Sequence, residues 1–230
     1  MDNVKTKAIV LRRTNYGEAD RILNILTPMG KMSVMAKGVR KTQSKLAGGI
    51  ELFCVSDVVV HRGKGDLGVL TSARLVEFYS EIMKDLAAME FMGGVMKEMS
   101  RRAEGVDVPE YFDLVWQVLA GVDGILKTGE KSAKLPVVMA WWGLNVVRAS
   151  GEEMNLRTDV LGDKLVENKK YGWDGQAQAL KEYERGEISA EHIKLMRLMV
   201  SSPLKLVLNV KGAEKLVNEL SYVVKAVNRN

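Results

Sequence analysis

Hydrophobic and polar residues alternate over most of the first 78 residues, with the period of two that is typical of β-strands. The pattern predicts five strands, at residues 4–13, 20–27, 31–37, 52–62 and 69–78. A tight turn is predicted at residues 27–30, because Pro28 presets the first central position and Gly30 tolerates a positive φ angle. The longest connection, residues 39–49, lies between the third and fourth strands. This count and spacing predict a small five-stranded barrel of the OB-fold type.

From Ser80 onward the hydrophobic spacing changes to that of α-helices. Helices are predicted around residues 82–99 and 112–122, from near Ser132 to 146, and over residues 189–200 and 213–227. Residues 151–175 are polar and lack a clear period, so no element is predicted there. The sequence therefore predicts an α+β protein. An OB-fold nucleic-acid-binding domain at residues 1–79 precedes an all-helical domain at residues 80–230.

Positive charge is concentrated in the predicted barrel. The 230-residue chain has a net charge of +5, yet residues 1–78 hold 13 lysines and arginines against 7 aspartates and glutamates. Residues 31–45 contain no carboxylate and five basic side chains, which are Lys31, Lys37, Arg40, Lys41 and Lys45. Such a cluster suits a phosphate backbone, because each neutralised phosphate releases a condensed counterion. A solvated charge run without a partner is an equally open interpretation of this stretch alone.

The sequence offers no arrangement of residues for catalysis. Cys54 is the only cysteine, and its apolar neighbours predict a buried strand residue rather than a reactive thiol. Neither His61 nor His192 has a cysteine or carboxylate at metal-ligand spacing. Residues 63–68 fit G-x-G-x-x-G, but a strand rather than a helix is predicted after them, which indicates a hairpin turn. We therefore expect no enzymatic activity, no metal and no cofactor.

The longest uncharged run, residues 135–147, has 13 residues and is too short to span a bilayer. The first residues also lack the apolar core of a signal peptide. The expectation is a cytoplasmic protein without a membrane partner, which acts at the nucleoid.

Several short stretches resemble one protein family. They are Ala-Ile-Val-Leu-Arg-Arg at residues 8–13, Tyr-Gly-Glu-Ala-Asp-Arg at 16–21 and Ala-Lys-Gly-Val-Arg-Lys at 36–41. The hairpin Gly-Asp-Leu-Gly at 65–68, with Leu-Thr at 70–71 and Glu-Phe at 77–78, follows in the same order. Together they are similar to the opening of the RecO family of bacterial DNA-repair proteins. The remainder of the chain matches that family only in its helical character and length.

The resemblance implies an OB-fold followed by a helical domain. It also implies a recombination mediator that binds single- and double-stranded DNA and anneals complementary strands. Such proteins act with RecR, in some cases with RecF, and contact the C-terminal tail of single-strand-binding protein while they help to load RecA. Two other functions stay open: an RNA-binding OB-fold module with a helical partner-binding domain, and a scaffold on which the basic patch is incidental.

The resemblance assigns the family's Lys-Gly-x-Arg segment to Lys37, Gly38 and Arg40, with the two cations on phosphates and the glycine turning the chain. Charge alone extends this site to further candidates, which are Lys41, Lys45, Lys31, Arg12, Arg13, Arg21 and Arg62. Tyr16 is the one good loop candidate for stacking on a base, although packing explains it equally well.

A site for the acidic, hydrophobic tail of single-strand-binding protein is predicted at Lys127, Lys131 and Lys134, beside Trp141 and Trp142. A solvated helix start over a buried tryptophan pair is the competing interpretation.

The chain departs from the family at one place. Many members carry a four-cysteine zinc site in the helical domain, whereas the corresponding residues here, about 157–179, contain no cysteine and no histidine. We therefore expect a degenerate segment that binds no zinc.

Overall fold

The computed structural model describes residues 3–63, 65–152 and 154–220. The chain divides into two compact units, Met1–Asp123 and Gly124–Asn230. The barrel ends at Phe78, within the first of these units. The predicted domain boundary after residue 79 stays a prediction.

All five predicted strands are present in the N-terminal unit. They are β1 (Asn3–Tyr16), β2 (Asp20–Thr27), β3 (Gly30–Ala36), β4 (Cys54–His61) and β5 (Leu67–Phe78). The strands close into a barrel in the order β1-β2-β3-β5-β4, in which only β3 and β5 pair in parallel. β4 and β5 form the antiparallel hairpin that the sequence predicted in place of a nucleotide-binding loop. The OB-fold prediction is confirmed.

The alternating pattern fills the barrel. One residue in two along each strand points inward, and these side chains form a continuous core that includes Val10, Leu23, Ile25, Val34 and Val60. Each buried side chain of this size contributes about 1.5–3 kcal/mol relative to an exposed one. The core therefore accounts for the barrel without any disulfide, in agreement with the single free cysteine.

A bulge in β1 changes which side chains face outward. Val10 pairs with Ile25 and Arg12 with Asn24, so Leu11 is an additional residue in β1. Directly opposed residues in antiparallel strands share a face. After the bulge, the alternation of inward and outward side chains in β1 is therefore shifted by one residue.

The connection from β3 to β4 is anchored in the core at its far end. A 3₁₀ turn at Ala47–Gly49 leads into Ile50, which is buried inside the barrel. At Gly49 a Cβ atom would lie 2.6 Å from the backbone oxygen of Ala73, so this close approach requires glycine.

The N-terminal unit also contains α1 (Leu86–Arg102) and most of α2 (Glu110–Lys127), whose last residues belong to the second unit. A 3₁₀ turn at Ser80–Lys84 precedes α1, whose N-cap Asp85 accepts a hydrogen bond of 2.9 Å from the backbone of Ala88. The buried Asp123 of α2 accepts one of 2.9 Å from the backbone of Glu81.

A polar cluster ties α2 to the end of β5. The indole of Trp116 donates to the hydroxyl of Tyr79 at 2.7 Å, and this hydroxyl donates in turn to Glu77. These hydrogen bonds hold the pKa of Glu77 below its usual range, with the bond from Tyr79 as the main cause. Burial, together with the neighbouring carboxylate, raises the pKa of Tyr79.

The C-terminal unit contains helices and a small sheet. Its helices are α3 (Lys131–Ala149), α4 (Ala190–Ser201), α5 (Leu204–Val207) and α6 (Ala213–Glu219). The buried amide of Asn145 joins α3 to α4, because it donates to the backbone oxygens of Trp141 at 2.9 Å and Met199 at 3.0 Å. The rest of the predicted last helix, residues 221–227, lies outside the described residues.

The α+β class is confirmed, but the expectation of an all-helical C-terminal domain needs one correction. Strands β6 (Asn155–Asp159), β7 (Tyr171–Asp174) and β8 (Ala179–Glu182) form a sheet in the order β6-β8-β7. The cysteine-free residues 157–179 are therefore part of an ordered element. The strands have only four or five residues, separated by polar turns, so no hydrophobic period develops along the sequence.

None of the described helices is both long and apolar enough to cross a membrane.

Candidate nucleic-acid interface

The basic connection between β3 and β4 is held against the loop between β1 and β2. Gly38 has a φ angle of +63°, which turns the chain as the resemblance implies, and its N–H donates to the carboxylate of Asp20 at 2.7 Å. The backbone N–H of Arg40 donates to the carbonyl oxygen of Ala19 at 2.9 Å. Its guanidinium donates to the carbonyl oxygen of Gly17 at 3.0 Å. The connection therefore has a defined path at this end of the barrel.

Four of the predicted DNA-binding cations lie together on this connection. Lys37, Arg40, Lys41 and Lys45 are all exposed, and none pairs with a carboxylate among the residues that the structure describes. Tyr16, at the end of β1, is 55% exposed. Unpaired and exposed cations are available to phosphates without the cost of breaking an ion pair.

The bulge at Leu11 determines which of Arg12 and Arg13 faces outward. Arg12 pairs with Asn24 and is exposed on the outside of the barrel. Arg13 pairs with Leu23, whose side chain is in the core, and its guanidinium forms a salt bridge of 2.6 Å with Glu51. Of the two predicted candidates, the structure places only Arg12 on the outer surface with its charge unpaired among the described residues.

The other predicted cations lie in different surroundings. Arg21 is half-buried and donates to the amide oxygen of Asn15 at 3.2 Å. Arg62 is exposed in the turn between β4 and β5. The Lys31 side chain is only 9% exposed, and its ammonium donates to the carbonyl oxygen of Ser100 at 2.9 Å and to the carboxylate of Glu104. Lys31 therefore does not join the exposed cluster on the connection.

The side chain of Lys31 reaches α1, a helix for which the sequence predicts no DNA-binding residue. A groove between β1 and α1 is lined by cations of both elements, among them Lys97 and Arg101. These two residues are one helical turn apart and share a face. The signal that could have identified them is this spacing, but it is common on solvated helices.

The predicted partner site lies in the C-terminal unit. Lys134 forms an ion pair of 2.7 Å with Glu130, which holds the pKa of that carboxylate below its usual range. Trp141 and Trp142 are 2% and 5% exposed, and the indole of Trp141 donates to the carbonyl oxygen of Ser202 at 3.0 Å. The tryptophans are therefore part of the core. Lys127 is the last residue of α2, whereas Lys131 and Lys134 lie at the start of α3.

Titratable groups on the barrel are engaged in structural contacts. Asp57 accepts hydrogen bonds from Arg74 at 2.8 Å and Lys7 at 3.1 Å, which lower its pKa. Burial raises the pKa of the Cys54 thiol, as expected for a packed strand residue. Within the described residues, no group of three histidine, cysteine, aspartate or glutamate side chains could hold a metal ion.

Comparisons with known proteins find a family match over the residues that form the barrel. Residues 1–79 match the family model described as recombination protein O N terminal. A DNA repair protein RecO from Dehalococcoides mccartyi is 34% identical over 156 residues, which are 66% of this chain and 58% of that protein. The match thus spans less than two thirds of this relative.

A more distant relative is similar over nearly the whole chain. The DNA repair protein RecO from Syntrophomonas wolfei is 25% identical over 226 residues, which cover 95% of this chain and 87% of that protein. A third, from Acetivibrio thermocellus, is 37% identical over 97 residues, or 42% of this chain and 38% of its own length. The N-terminal match and these relatives, all named DNA repair protein RecO, support the identification of the chain as similar to the RecO family.

Proposed function

We propose that this protein is a DNA-binding recombination mediator that acts in DNA repair. It binds single- and double-stranded DNA, anneals complementary strands and helps to load RecA onto DNA coated with single-strand-binding protein. The observation that carries this proposal is the connection between β3 and β4, on which Lys37, Arg40, Lys41 and Lys45 are exposed and unpaired among the described residues. The names of the relatives support repair as the process.

The surface favours binding through the phosphate backbone rather than through base sequence. Its cations can neutralise phosphates, whereas Tyr16 is the one exposed aromatic side chain beside the connection among the residues that the structure describes. Phosphate contacts position a nucleic acid but carry no sequence information. Neutralised charge also lets two strands approach each other, which annealing requires. The protein therefore binds strands of any sequence, with an affinity that falls steeply as salt increases.

Annealing of coated strands is the decisive experiment. Two complementary oligonucleotides covered with single-strand-binding protein are mixed with the wild-type chain, and duplex formation is followed by fluorescence. A faster reaction than with the coating protein alone supports the proposal. If coated strands do not anneal faster while an RNA strand of the same sequence binds more tightly than DNA, the RNA-binding alternative replaces it.

RecR and the C-terminal tail of single-strand-binding protein are the proposed partners, with RecF and RecA as further ones. For the tail we retain Lys127, Lys131 and Lys134 as the candidate site, since an acidic peptide needs cations. A fluorescent tail peptide should bind the wild-type chain and lose at least tenfold in affinity when the three lysines become alanine. Unchanged affinity would place the tail site elsewhere on the chain.

We also propose that the protein works without catalysis or cofactor. Three groups support this by their structural contacts: Asp57 forms ion pairs, Glu77 accepts hydrogen bonds and Cys54 is buried. Purified protein incubated with ATP, Mg²⁺ and DNA should give neither hydrolysis nor strand cleavage. Turnover that co-purifies with the chain and disappears on unfolding would contradict this part of the proposal.

A further inference from the structure

A groove of about 630 Å³ runs along the outside of the barrel within the N-terminal unit. One wall is β1, with Leu11 and Arg12, and the other is α1, with Met96, Lys97 and Arg101. Its apolar lining also includes Leu52 and Phe53, which precede β4. The groove thus combines an apolar wall with cations from both elements.

The charges of the groove are not balanced. Lys31 and Glu104, which also line it, neutralise each other in an ion pair. Arg12, Lys97 and Arg101 are exposed, and none of the three has a carboxylate partner in the part of the chain that the structure describes. Three cations therefore remain for a ligand, and they lie on two opposed walls rather than along one solvated helix face.

The groove continues the basic surface of the barrel. Arg12 lies four residues before Tyr16 on β1, or about 13 Å along an extended strand. Tyr16 precedes the loop whose carbonyl groups, at Gly17 and Ala19, accept hydrogen bonds from Arg40. A nucleic-acid strand bound at the basic connection can follow β1 into the groove without crossing a negatively charged surface of β1.

The lining selects among anionic ligands. A single nucleic-acid strand presents phosphates on one side and unpaired bases on the other, which suits cations above an apolar wall. A duplex keeps its bases paired and stacked in its interior, so it gains nothing from Leu52, which is half-buried, or from the small exposed areas of Phe53 and Met96. An acidic peptide shares the charge but lacks the regular phosphate spacing that the connection and the groove together can follow.

We propose that this groove binds a single nucleic-acid strand, with Arg12, Lys97 and Arg101 on its phosphates and its bases against the apolar wall. The DNA-binding surface thereby extends from the barrel onto α1. This inference rests on the proposed function, because it assumes that the basic connection binds the same strand.

The test removes the two cations of α1 and keeps their aliphatic stems. The variant K97Q/R101Q is compared with the wild type for binding to a poly-thymidine oligonucleotide and to a duplex, each over a range of salt concentrations. Loss of two phosphate contacts should reduce the slope of log K against log salt by about 1.4 for the single strand, from roughly 0.7 per phosphate. The duplex slope should stay unchanged.

The control variant K164Q/K170Q removes two exposed lysines of the C-terminal unit that form no ion pair with a carboxylate among the described residues. It should leave both slopes unchanged. Circular dichroism and melting temperature check that each variant folds, and R12Q provides a second route from the opposite wall.

Each outcome decides between the two proposals. If the wild type does not bind DNA, the proposed function itself fails. If the wild type binds but K97Q/R101Q and R12Q keep its slopes, the connection binds DNA and the groove does not. Equal losses of slope for the single strand and the duplex would overturn the single-strand assignment. It would also be overturned if an acidic peptide, but not a second oligonucleotide, displaces the bound strand.

Discussion

The guanidinium of Arg40 donates a hydrogen bond of 3.0 Å to the carbonyl oxygen of Gly17, which joins the β3–β4 connection to the β1–β2 loop. The backbone N–H of Arg40 also donates a hydrogen bond of 2.9 Å to the carbonyl oxygen of Ala19. An exposed loop loses conformational freedom when it binds a ligand. Because these bonds already fix the connection, its lysines can meet a phosphate backbone with little further ordering.

The connection should account for most of the salt dependence of binding. Replacing Lys37, Arg40, Lys41 and Lys45 by alanine removes four phosphate contacts. The slope of log K against log salt for single-stranded DNA should then fall in magnitude by about 3, from roughly 0.7 per phosphate. Fluorescence anisotropy at five or more salt concentrations measures the slope, and annealing should slow in parallel.

The same quadruple variant should stay folded, because exposed charges away from packing change stability by about 0.5 kcal/mol or less. Arg40 also holds the loop at Gly17, so Arg40→Lys serves as a control that keeps the charge without the guanidinium fork. A folded quadruple variant with the wild-type slope would remove the connection from the DNA site.

Tyr79→Phe should destabilise the N-terminal unit by about 2 kcal/mol, as expected for hydrogen bonds that involve a charged group. The change removes the hydroxyl that donates to Glu77 and leaves the indole of Trp116 without this acceptor. Urea unfolding followed by tryptophan fluorescence measures the difference. Tyr16→Phe is the matched control, because Tyr16 is 55% exposed and should shift the midpoint little. Equal midpoints for both variants would show that the cluster does not stabilise the fold.

Stability should fall in acid partly through Glu77. Its pKa is lower in the folded protein than in the unfolded chain, first because Tyr79 donates to its carboxylate and next because Trp116 does. A group of this kind stabilises the fold above its unfolded pKa, and the contribution disappears as the pH falls through the folded pKa. Between about pH 6 and pH 3, Glu77→Gln should therefore lose less stability than the wild type. Parallel curves of melting temperature against pH would argue against this linkage.

The Cys54 thiol should react slowly in the native protein. It is buried at the start of β4, and burial raises its pKa, so little thiolate is present near neutral pH. Its reaction with a disulfide reagent at pH 8 should be slower by at least tenfold in buffer than in denaturant. A native rate close to that of a free thiol would indicate an accessible, reactive site in place of a packed residue.

Chelators should leave the fold unchanged. With one cysteine and two histidines in the whole chain, a structural zinc site of the usual cysteine and histidine ligands has too few residues. The sheet β6-β8-β7 instead packs apolar side chains such as Leu156, Tyr171 and Leu180. Melting temperatures with and without a chelator should agree, and elemental analysis should find no stoichiometric zinc. One zinc per chain would require ligands of a different kind.

The sequence predicted the local structure correctly where the conformation of a residue depends on its near neighbours in the chain. Alternation and turn residues predicted β2 at residues 20–27, and the other four strands to within a few residues. The resemblance, rather than the alternation, implies that Gly38 turns the chain, and its φ angle is positive. Helical spacing likewise predicted α1 to α4.

Long-range contacts explain what the sequence could not predict. Lys31 has no carboxylate near it in the sequence, yet Glu104, which is 73 positions later, pairs with it. The groove cations Lys97 and Arg101 meet Arg12 only because α1 packs beside β1. The strands β6, β7 and β8 are too short to show a period, so their pairing is visible only in three dimensions.

The bulge at Leu11 makes the length of β1 as important as its charges. Strict alternation from Val10 would turn Arg12 into the barrel and Arg13 out, and the additional residue exchanges the two. A related chain without this additional residue needs its cation at the neighbouring strand position to present the same outer surface. Two arginines that are aligned with each other in sequence can therefore point to opposite faces of the barrel wall in their structures. Comparisons between relatives should follow strand register in this region rather than letter identity.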